Sequence, residues 1–294
     1  MLIQRFKSMQ KKDSRKIRPL QKQAKPGKES ELKPKSKTKP LENWQEKLKG
    51  KVALITGADS GIGKATALLF AQQGADIAIA YLSETKDAKE TQKEIKKLNR
   101  KCILLKGDLG NEAHCKKVIK KTLETFGKID ILINNAGIHW EAKSLEDIST
   151  KKLLETFHSN VFSVFWLTKF ALPFLKKGST IVNTTSVTAY RGSDHLMDYA
   201  ATKGAILSFT RSLSANLVSK GIRVNAVAPG PIWTPLIAST FSKKEISEFG
   251  SDTPMKRAGE PNEVANCFLF LASEASSYLT GQVLHPNGGE IVSG

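Results

Sequence analysis

Cysteine is scarce: three residues in 294, at Cys102, Cys115 and Cys267. They are too few and too scattered for a disulfide framework or a paired-cysteine zinc site, so a reducing, cytoplasmic setting is expected. Long apolar runs are absent. None approaches the ~18 residues of a spanning helix, and the opening MLIQRFKSMQKK lacks the ~7–15-residue apolar stretch of a secretory signal. The five histidines, His114, His139, His158, His195 and His285, show no metal-ligand spacing, so no metal is expected. Aromatic residues are sparse where the positive charge is dense. Only Phe6 interleaves the lysines ahead of Trp44, which leaves no stacking platform for single-stranded nucleic acid.

The charge that is present is uneven. The net formal charge is +18, of which residues 1–40 carry +11, from fourteen Lys/Arg against three acids. The remaining 254 residues carry only +7. The basic stretch also holds Pro19, Pro26, Pro34 and Pro40 and has almost no apolar periodicity. Such a segment buries too little surface to offset its ordering entropy, so residues 1–46 read as an extended or disordered arm. Three roles fit it: a solvated extension, an arm lying along a neighbouring subunit, or an electrostatic tether to nucleic acid or anionic lipid. The lack of aromatics disfavours the last.

From residue 47 onward the pattern alternates. Apolar runs at 51–56, 75–81, 102–106, 129–135, 179–185, 222–230 and 281–289 read as strands. Segments at 65–73, 86–98, 111–126, 150–176, 198–218 and 261–272 have helical spacing. This alternation predicts an α/β fold with βαβ units and a parallel sheet. The strands are continuously apolar, as a sheet covered on both faces requires. Seven strands in ~245 residues make one doubly wound domain of the Rossmann type, spanning 47–294.

The first strand runs into Thr56-Gly57-Ala58-Asp59-Ser60-Gly61-Ile62-Gly63. Glycines between a strand and a helix start let backbone N–H groups approach a pyrophosphate at the positive helix end. The bland alternative is a glycine turn without a ligand. A P-loop is excluded, because Ala65 follows Lys64. The second strand ends Tyr81-Leu82-Ser83, with no acid until Glu84. An acid there would hold ribose hydroxyls and repel a 2′-phosphate. Its absence leans the cofactor toward NADP over NAD, with Lys64 or Lys86 available to a phosphate, although no arginine stands beside Asp59 and Ser60.

Tyr199 and Lys203 are four apart on a predicted helix and share a face. An ammonium beside a phenol favours the phenolate and lowers its pKa, which proton transfer to a substrate oxygen requires. Ser186 follows the fifth strand at its carboxyl end, where open α/β sheets bind ligands. A hydroxyl there holds a substrate oxygen while Tyr199 moves the proton.

With these residues in place, the chain resembles the short-chain dehydrogenase/reductase family over about residues 47–294. The resemblance rests on the Thr56 to Gly63 turn, Asn134-Asn135-Ala136-Gly137, Asn160, Ser186, Tyr199 with Lys203, and Pro229-Gly230. It implies hydride transfer with NAD or NADP. It makes Tyr199 the general acid/base, Ser186 the carbonyl-orienting donor, Lys203 the ribose contact and Asn160 the holder of a relay water. It places Gly57, Asp59, Ser60, Gly61, Ile62 and Gly63 at the phosphates. Tyr81, Ser83, Asp108, Leu109 and Asn135 to Gly137 would flank the adenosine side, and Pro229, Gly230, Ile232 and Thr234 the nicotinamide. Homotetramers or homodimers are common in the family. Stretches such as NTTSVTAYRGS and RVNAVAPGPIWTPLI resemble a stress-associated subgroup of glucose or ribitol dehydrogenase homologues, some of them aldehyde reductases, whose N-terminal arms share a Pro-Gly pair like Pro26-Gly27.

The expected activity is therefore NAD(P)-dependent interconversion of an aldehyde or sugar-like carbonyl and its alcohol, on a small-molecule substrate, without nucleic acid or membrane partners. A 3-oxoacyl thioester reductase and a non-catalytic NAD(P)-binding sensor or scaffold are the alternatives. A lid is expected from Ile232 to about Met255, with Trp233, Glu245 and Phe249 as candidate substrate contacts. His139, Trp140 and His195 are candidates for the pocket mouth.

Overall fold

The computed structural model describes residues 19–38 and 46–292. Phe6, Met9, Trp44 and the readings placed on them lie outside these residues.

Seven parallel strands form one sheet in the order β3-β2-β1-β4-β5-β6-β7. They are β1 (Val52–Thr56), β2 (Asp76–Tyr81), β3 (Cys102–Lys106), β4 (Ile131–Asn134), β5 (Thr180–Thr184), β6 (Arg223–Val227) and β7 (Val283–Leu284). The strand order reverses between β1 and β4, which opens a crevice at their carboxyl ends. β1 is buried at every position, as its unbroken apolar run requires. The last strand is shorter than its apolar pattern suggests. Only Val283 and Leu284 pair with β6, because Pro286, Gly288 and Gly289 cannot extend the ladder.

Helices cover both faces: α1 (Gly61–Gln72), α2 (Thr85–Lys97), α3 (Glu112–Phe126), α4 (Thr150–Phe157), α5 (Ser163–Ala171), α6 (Thr188–Arg191), α7 (Met197–Leu217), α8 (Pro235–Thr240), α9 (Lys243–Glu248) and α10 (Pro261–Ala272). One core, with Phe70, Ile77 and Phe268, lies under α1 and α10. The other, with Leu132, Ile181 and Leu217, lies under α3, α5 and α7. The long helix expected over 150–176 is interrupted. A π-helical turn, His158–Phe162, separates α4 from α5, and a 3₁₀ turn, Leu172–Phe174, ends the segment at Pro173. Among the described residues no helix is long and apolar enough to cross a membrane.

Residues 19–38 are extended, with a single 3₁₀ turn at Glu29–Glu31. The solvated reading of the arm does not hold for them, because they pack on their own chain. Leu32 is 1% exposed and joins Trp233, Ile237, Phe241 and Ile246 in a third core. The Gln23 N–H donates to the Ala238 carbonyl at 2.6 Å, Trp233 Nε1 donates to the Pro34 carbonyl at 2.7 Å, and the Asn262 N–H donates to the Lys37 carbonyl at 3.1 Å. A few apolar anchors and backbone bonds suffice where composition alone predicts none. Residues 19–38 thus form a strap across the 231–259 segment.

Candidate active site

The carboxyl ends of β1, β4 and β5 are tied together before any ligand enters. Thr56 Oγ1 accepts the N–H groups of Asn135 and Ala136, both at 2.9 Å, and Asn135 Nδ2 donates to the Thr56 carbonyl at 3.0 Å. Gly57 is held at φ +64°, and a side chain there would press on Ala136. Gly63 meets the Gly57 carbonyl so closely that a Cβ would overlap it, so this glycine serves helix-to-strand packing and does not line the cleft. Ser60, at the N-cap of α1, makes no side-chain cap bond. The Gly61 N–H at the helix start is instead taken by a carboxylate from outside the helix, Glu29 of the strap, an anion at the positive helix end.

A cleft of about 410 Å³ runs along these strand ends. Gly57, Asp59, Ser60, Gly61 and Ile62 line one end, beside Tyr81 and Ser83 from the β2 exit and Asp108 and Leu109 from the β3 exit. Asn135, Ala136 and Gly137 line its middle. Ser186, Tyr199, Lys203, Pro229, Gly230, Ile232 and Thr234 line the other end. Asn160 is absent from the walls. It sits one layer behind them in the π-helical turn, where its Oδ1 accepts from the Ile138 N–H and its Nδ2 donates to the Ile138 carbonyl, each at 2.8 Å. The extra residue of a π turn re-aims a side chain that a regular helix would point elsewhere.

Tyr199 stands in the first turn of α7. Asp198 fixes that turn by accepting the Tyr199 N–H at 2.8 Å and the Thr156 hydroxyl at 2.7 Å. Ser186 lines the same end of the cleft, and its hydroxyl is the one group that acts to lower the Tyr199 pKa. Burial outweighs it and pushes Tyr199 up to about 12. Lys203 Nζ donates to the Thr184 carbonyl at 2.9 Å and lies 5.4 Å from the Tyr199 ring centroid. Burial pulls Lys203 itself down to about 8. The lowering of Tyr199 by its lysine, expected from their spacing, is not what the structure shows. Desolvation penalises the charged form of each group and dominates both shifts.

The neighbours of this group differ from expectation in part. Trp233 is fully buried against the strap and does not line the cleft. Glu245 closes a capping box with Ser242, and Phe249 packs on Phe241 at 5.9 Å. His195 is exposed and bonded to Asp194 at 2.7 Å. His139 and Trp140 do line the cleft. The His139 ring meets the Tyr199 ring edge-on at 5.1 Å. Burial pushes it down to about 3, so it is neutral near pH 7. The segment expected as a loop lid contains α8 and α9.

The corner of the cleft beside Gly61 is acidic. Glu29, from the strap, accepts the Gly61 N–H through Oε2 at 2.7 Å, and its own N–H donates to Asp87 at 2.9 Å. Burial, reinforced by Asp87, Glu29 and Glu84, pushes Asp59 up to about 6. Lys64 is buried and paired with Glu94 at 3.1 Å and Glu90 at 3.9 Å, so it is already committed. Lys86 is exposed on α2. Sequence reasoning missed the strap residues Lys25, Pro26 and Gly27, which also line the cleft. The Pro26-Gly27 pair was their one signal. Gly27 passes so close to the Pro235 carbonyl that a Cβ would overlap it.

The sheet order with a glycine turn at its reversal, and the serine, tyrosine and lysine gathered at one end of the cleft, define an oxidoreductase. A family model described as enoyl-(acyl carrier protein) reductase matches residues 57–290, and the chain belongs to the short-chain dehydrogenase/reductase family. It is 48% identical to glucose and ribitol dehydrogenase of Daucus carota, covering 94% of this chain and 97% of that protein. It is 52% identical to NADPH-dependent aldehyde reductase 1, chloroplastic, of Arabidopsis thaliana, covering 84% and 88%. A crystal structure of a short chain dehydrogenase from Burkholderia cenocepacia J2315 in complex with NADP superposes with a TM-score of 0.78 at 32% identity, covering 83% of this chain and 98% of that one.

Proposed function

We propose that the protein is an NAD(P)-dependent oxidoreductase that interconverts a small aldehyde or sugar-like carbonyl and its alcohol. The observation that carries this reading is the gathering of Ser186, Tyr199 and Lys203 at one end of a cleft that continues to the glycine turn. The residues fit a dinucleotide. Gly57 and Gly61 hold positive φ at the helix start, and a Cβ at Gly137 would come to 3.3 Å from Asn160 Oδ1. The turn would hold the pyrophosphate, Asp108 and Leu109 the adenine side, and Lys203 with Pro229 to Thr234 the nicotinamide side.

When bound, the cofactor supplies the hydride that reduces the carbonyl carbon. The chain supplies the proton and the positioning. Ser186 donates to the carbonyl oxygen and orients it. Tyr199, neutral with its pKa near 12, gives its phenolic proton to that oxygen as the C=O π bond opens, and recovers a proton afterwards. A phenol held protonated carries the proton that reduction needs, but burial makes it a weaker acid than free tyrosine, a cost that the nearby Lys203 ammonium would offset as phenolate charge develops. Asn160 acts as a positioning residue by holding the Ile138 peptide against the cleft wall.

The test is an assay of aldehydes, sugars and 3-oxoacyl thioesters, read at the nicotinamide absorbance with both cofactors. Turnover of aldehydes that falls by about 10²–10⁴-fold in Tyr199→Phe, with cofactor binding retained, supports the reading. Cofactor binding without turnover on any carbonyl would make the protein a sensor.

A further inference from the structure

The strap does more than cover the loop, because it brings a cation to the substrate end of the cleft. Lys25 Nζ donates to the main-chain carbonyl of His139, the residue whose ring abuts Tyr199. The same ammonium lies 3.4 Å from the centroid of the Trp140 ring, and Lys152 Nζ lies 2.9 Å from it. Two ammonium groups thus share one indole at the cleft wall. Lys152 has a carboxylate partner, Glu155, at 3.6 Å. Among the described residues Lys25 has no carboxylate within ion-pair distance, although it is half-buried. The other charges around it act at longer range: Lys22 repels it, while Glu141 and Glu155 attract it. Lys22 itself is spent on the α8 end, donating to the carbonyls of Thr240 at 2.6 Å and Phe241 at 2.9 Å.

A half-buried ammonium with no paired carboxylate has lost solvation that one carbonyl and one indole face repay only in part. An anionic ligand would supply the missing charge partner. Here the space in front of Lys25 is the cleft it shares with Ser186 and Tyr199. One residue, His139, separates it from the catalytic phenol. A substrate whose carbonyl sits on Ser186 therefore reaches Lys25 after a short carbon chain.

We propose that Lys25 is a specificity-determining residue that selects small carbonyl substrates carrying an anionic group, a carboxylate or a phosphate, remote from the carbonyl. This rests on the carbonyl-reductase reading above and narrows its substrate class. The anion pairs with the ammonium, and the chain between lies along Trp140. Removing the charge costs the anionic substrates their counter-ion and leaves neutral ones to bind by shape alone.

The test has a kinetic arm and a binding arm on the full chain. Succinic semialdehyde and glyceraldehyde 3-phosphate are compared with butanal and glyceraldehyde, for the unmodified protein, Lys25→Met and Lys25→Arg. The expected result is a kcat/KM preference of about tenfold or more for an anionic member of each pair, carried by KM, lost in Lys25→Met and kept in Lys25→Arg. The two anions separate a carboxylate site from a phosphate site. In the second arm, without cofactor, 4-hydroxybutyrate or glycerol 3-phosphate raises Tm of the unmodified protein and not of Lys25→Met. Equal turnover of charged and neutral aldehydes, or the same anion-induced Tm shift in both proteins, overturns the proposal. Absence of turnover on all four substrates strikes at the carbonyl-reductase reading, and the Tm arm still decides whether Lys25 holds an anion.

Discussion

The Glu29 carboxylate accepts the Gly61 N–H at 2.7 Å, so a side chain from the N-terminal strap caps the helix that begins the glycine turn. Two segments far apart in sequence meet at the same cleft wall. The carboxylate satisfies a helix-end donor that Ser60 leaves uncapped. It does so beside Asp87 and Asp59, and burial with like charge raises its pKa.

Two substitutions at Glu29 should therefore move in opposite directions. Glu29→Gln keeps an acceptor for Gly61 and removes a charge that burial penalises, so strap docking is retained or strengthened at pH 7. Glu29→Ala leaves a buried donor without a partner and weakens docking by about 1–3 kcal/mol. Because the folded-state pKa is raised, the stability contributed by this carboxyl is complete below its unfolded value and declines as pH rises through the folded value. Denaturant unfolding from pH 4 to 8 should show a smaller decline in Glu29→Gln than in the unmodified protein. An identical pH slope in both would contradict the assignment.

Gly27 gives the strap a steric test. A Cβ there would overlap the Pro235 carbonyl, so Gly27→Ala must lift the strap from α8. The Gln23 to Ala238 bond and the burial of Leu32 lie on either side of that point. Limited proteolysis should cut within residues 19–38 faster in Gly27→Ala, while cleavage of the sheet core stays unchanged. Leu32→Ala should have the same local effect, through a lost anchor worth about 2–4 kcal/mol. Unchanged cleavage in both variants would mean that the strap is not held by these contacts.

Much of this architecture can be read from the chain. The apolar runs at 51–56 and 179–185 announce β1 and β5, and the spacing of Gly57, Gly61 and Gly63 announces the turn between β1 and α1. What stays hidden is decided by partners remote in sequence. Asn160 sits in a π turn that helical periodicity does not encode. Trp233 reads as a pocket aromatic until Leu32 and Pro34 are seen to cover it. The strap itself has the composition of a solvated tail, and only a few anchors tie it down. Tyr199 and Lys203 share a helix face as their spacing demands, but spacing says nothing of how far both are desolvated.

The strap cation has its own pH signature. Burial first, then Lys152 and Lys22, lower Lys25 to about 8, against the opposing pull of Glu141 and Glu155. If Lys25 holds an anionic substrate, the KM for that substrate should rise as pH passes 8. The KM for its neutral counterpart should follow only the titrations common to both. Parallel KM profiles for succinic semialdehyde and butanal between pH 7 and 9 would remove Lys25 from substrate recognition.

Lys203 predicts a divergence between activity and stability over the same range, and neutral aldehydes isolate it from Lys25. Its pKa is lowered from 10.5 to about 8 by burial, so between those values the unfolded chain binds a proton that the folded chain does not. Folding stability contributed by Lys203 therefore rises with pH across that window. Its ammonium is lost from the cleft over the same interval, and with it the positive charge that, in the proposed mechanism, would steady a phenolate left behind when Tyr199 gives up its proton. The expected outcome is a kcat/KM for butanal reduction that falls above about pH 8, while the Tm difference between the unmodified protein and Lys203→Met shifts in favour of the unmodified protein. Lys203→Met loses the titration outright, so its own Tm profile lacks this contribution. A rate that stays level to pH 10 would show that the ammonium does not serve the proton transfer, whatever its contact with the Thr184 carbonyl.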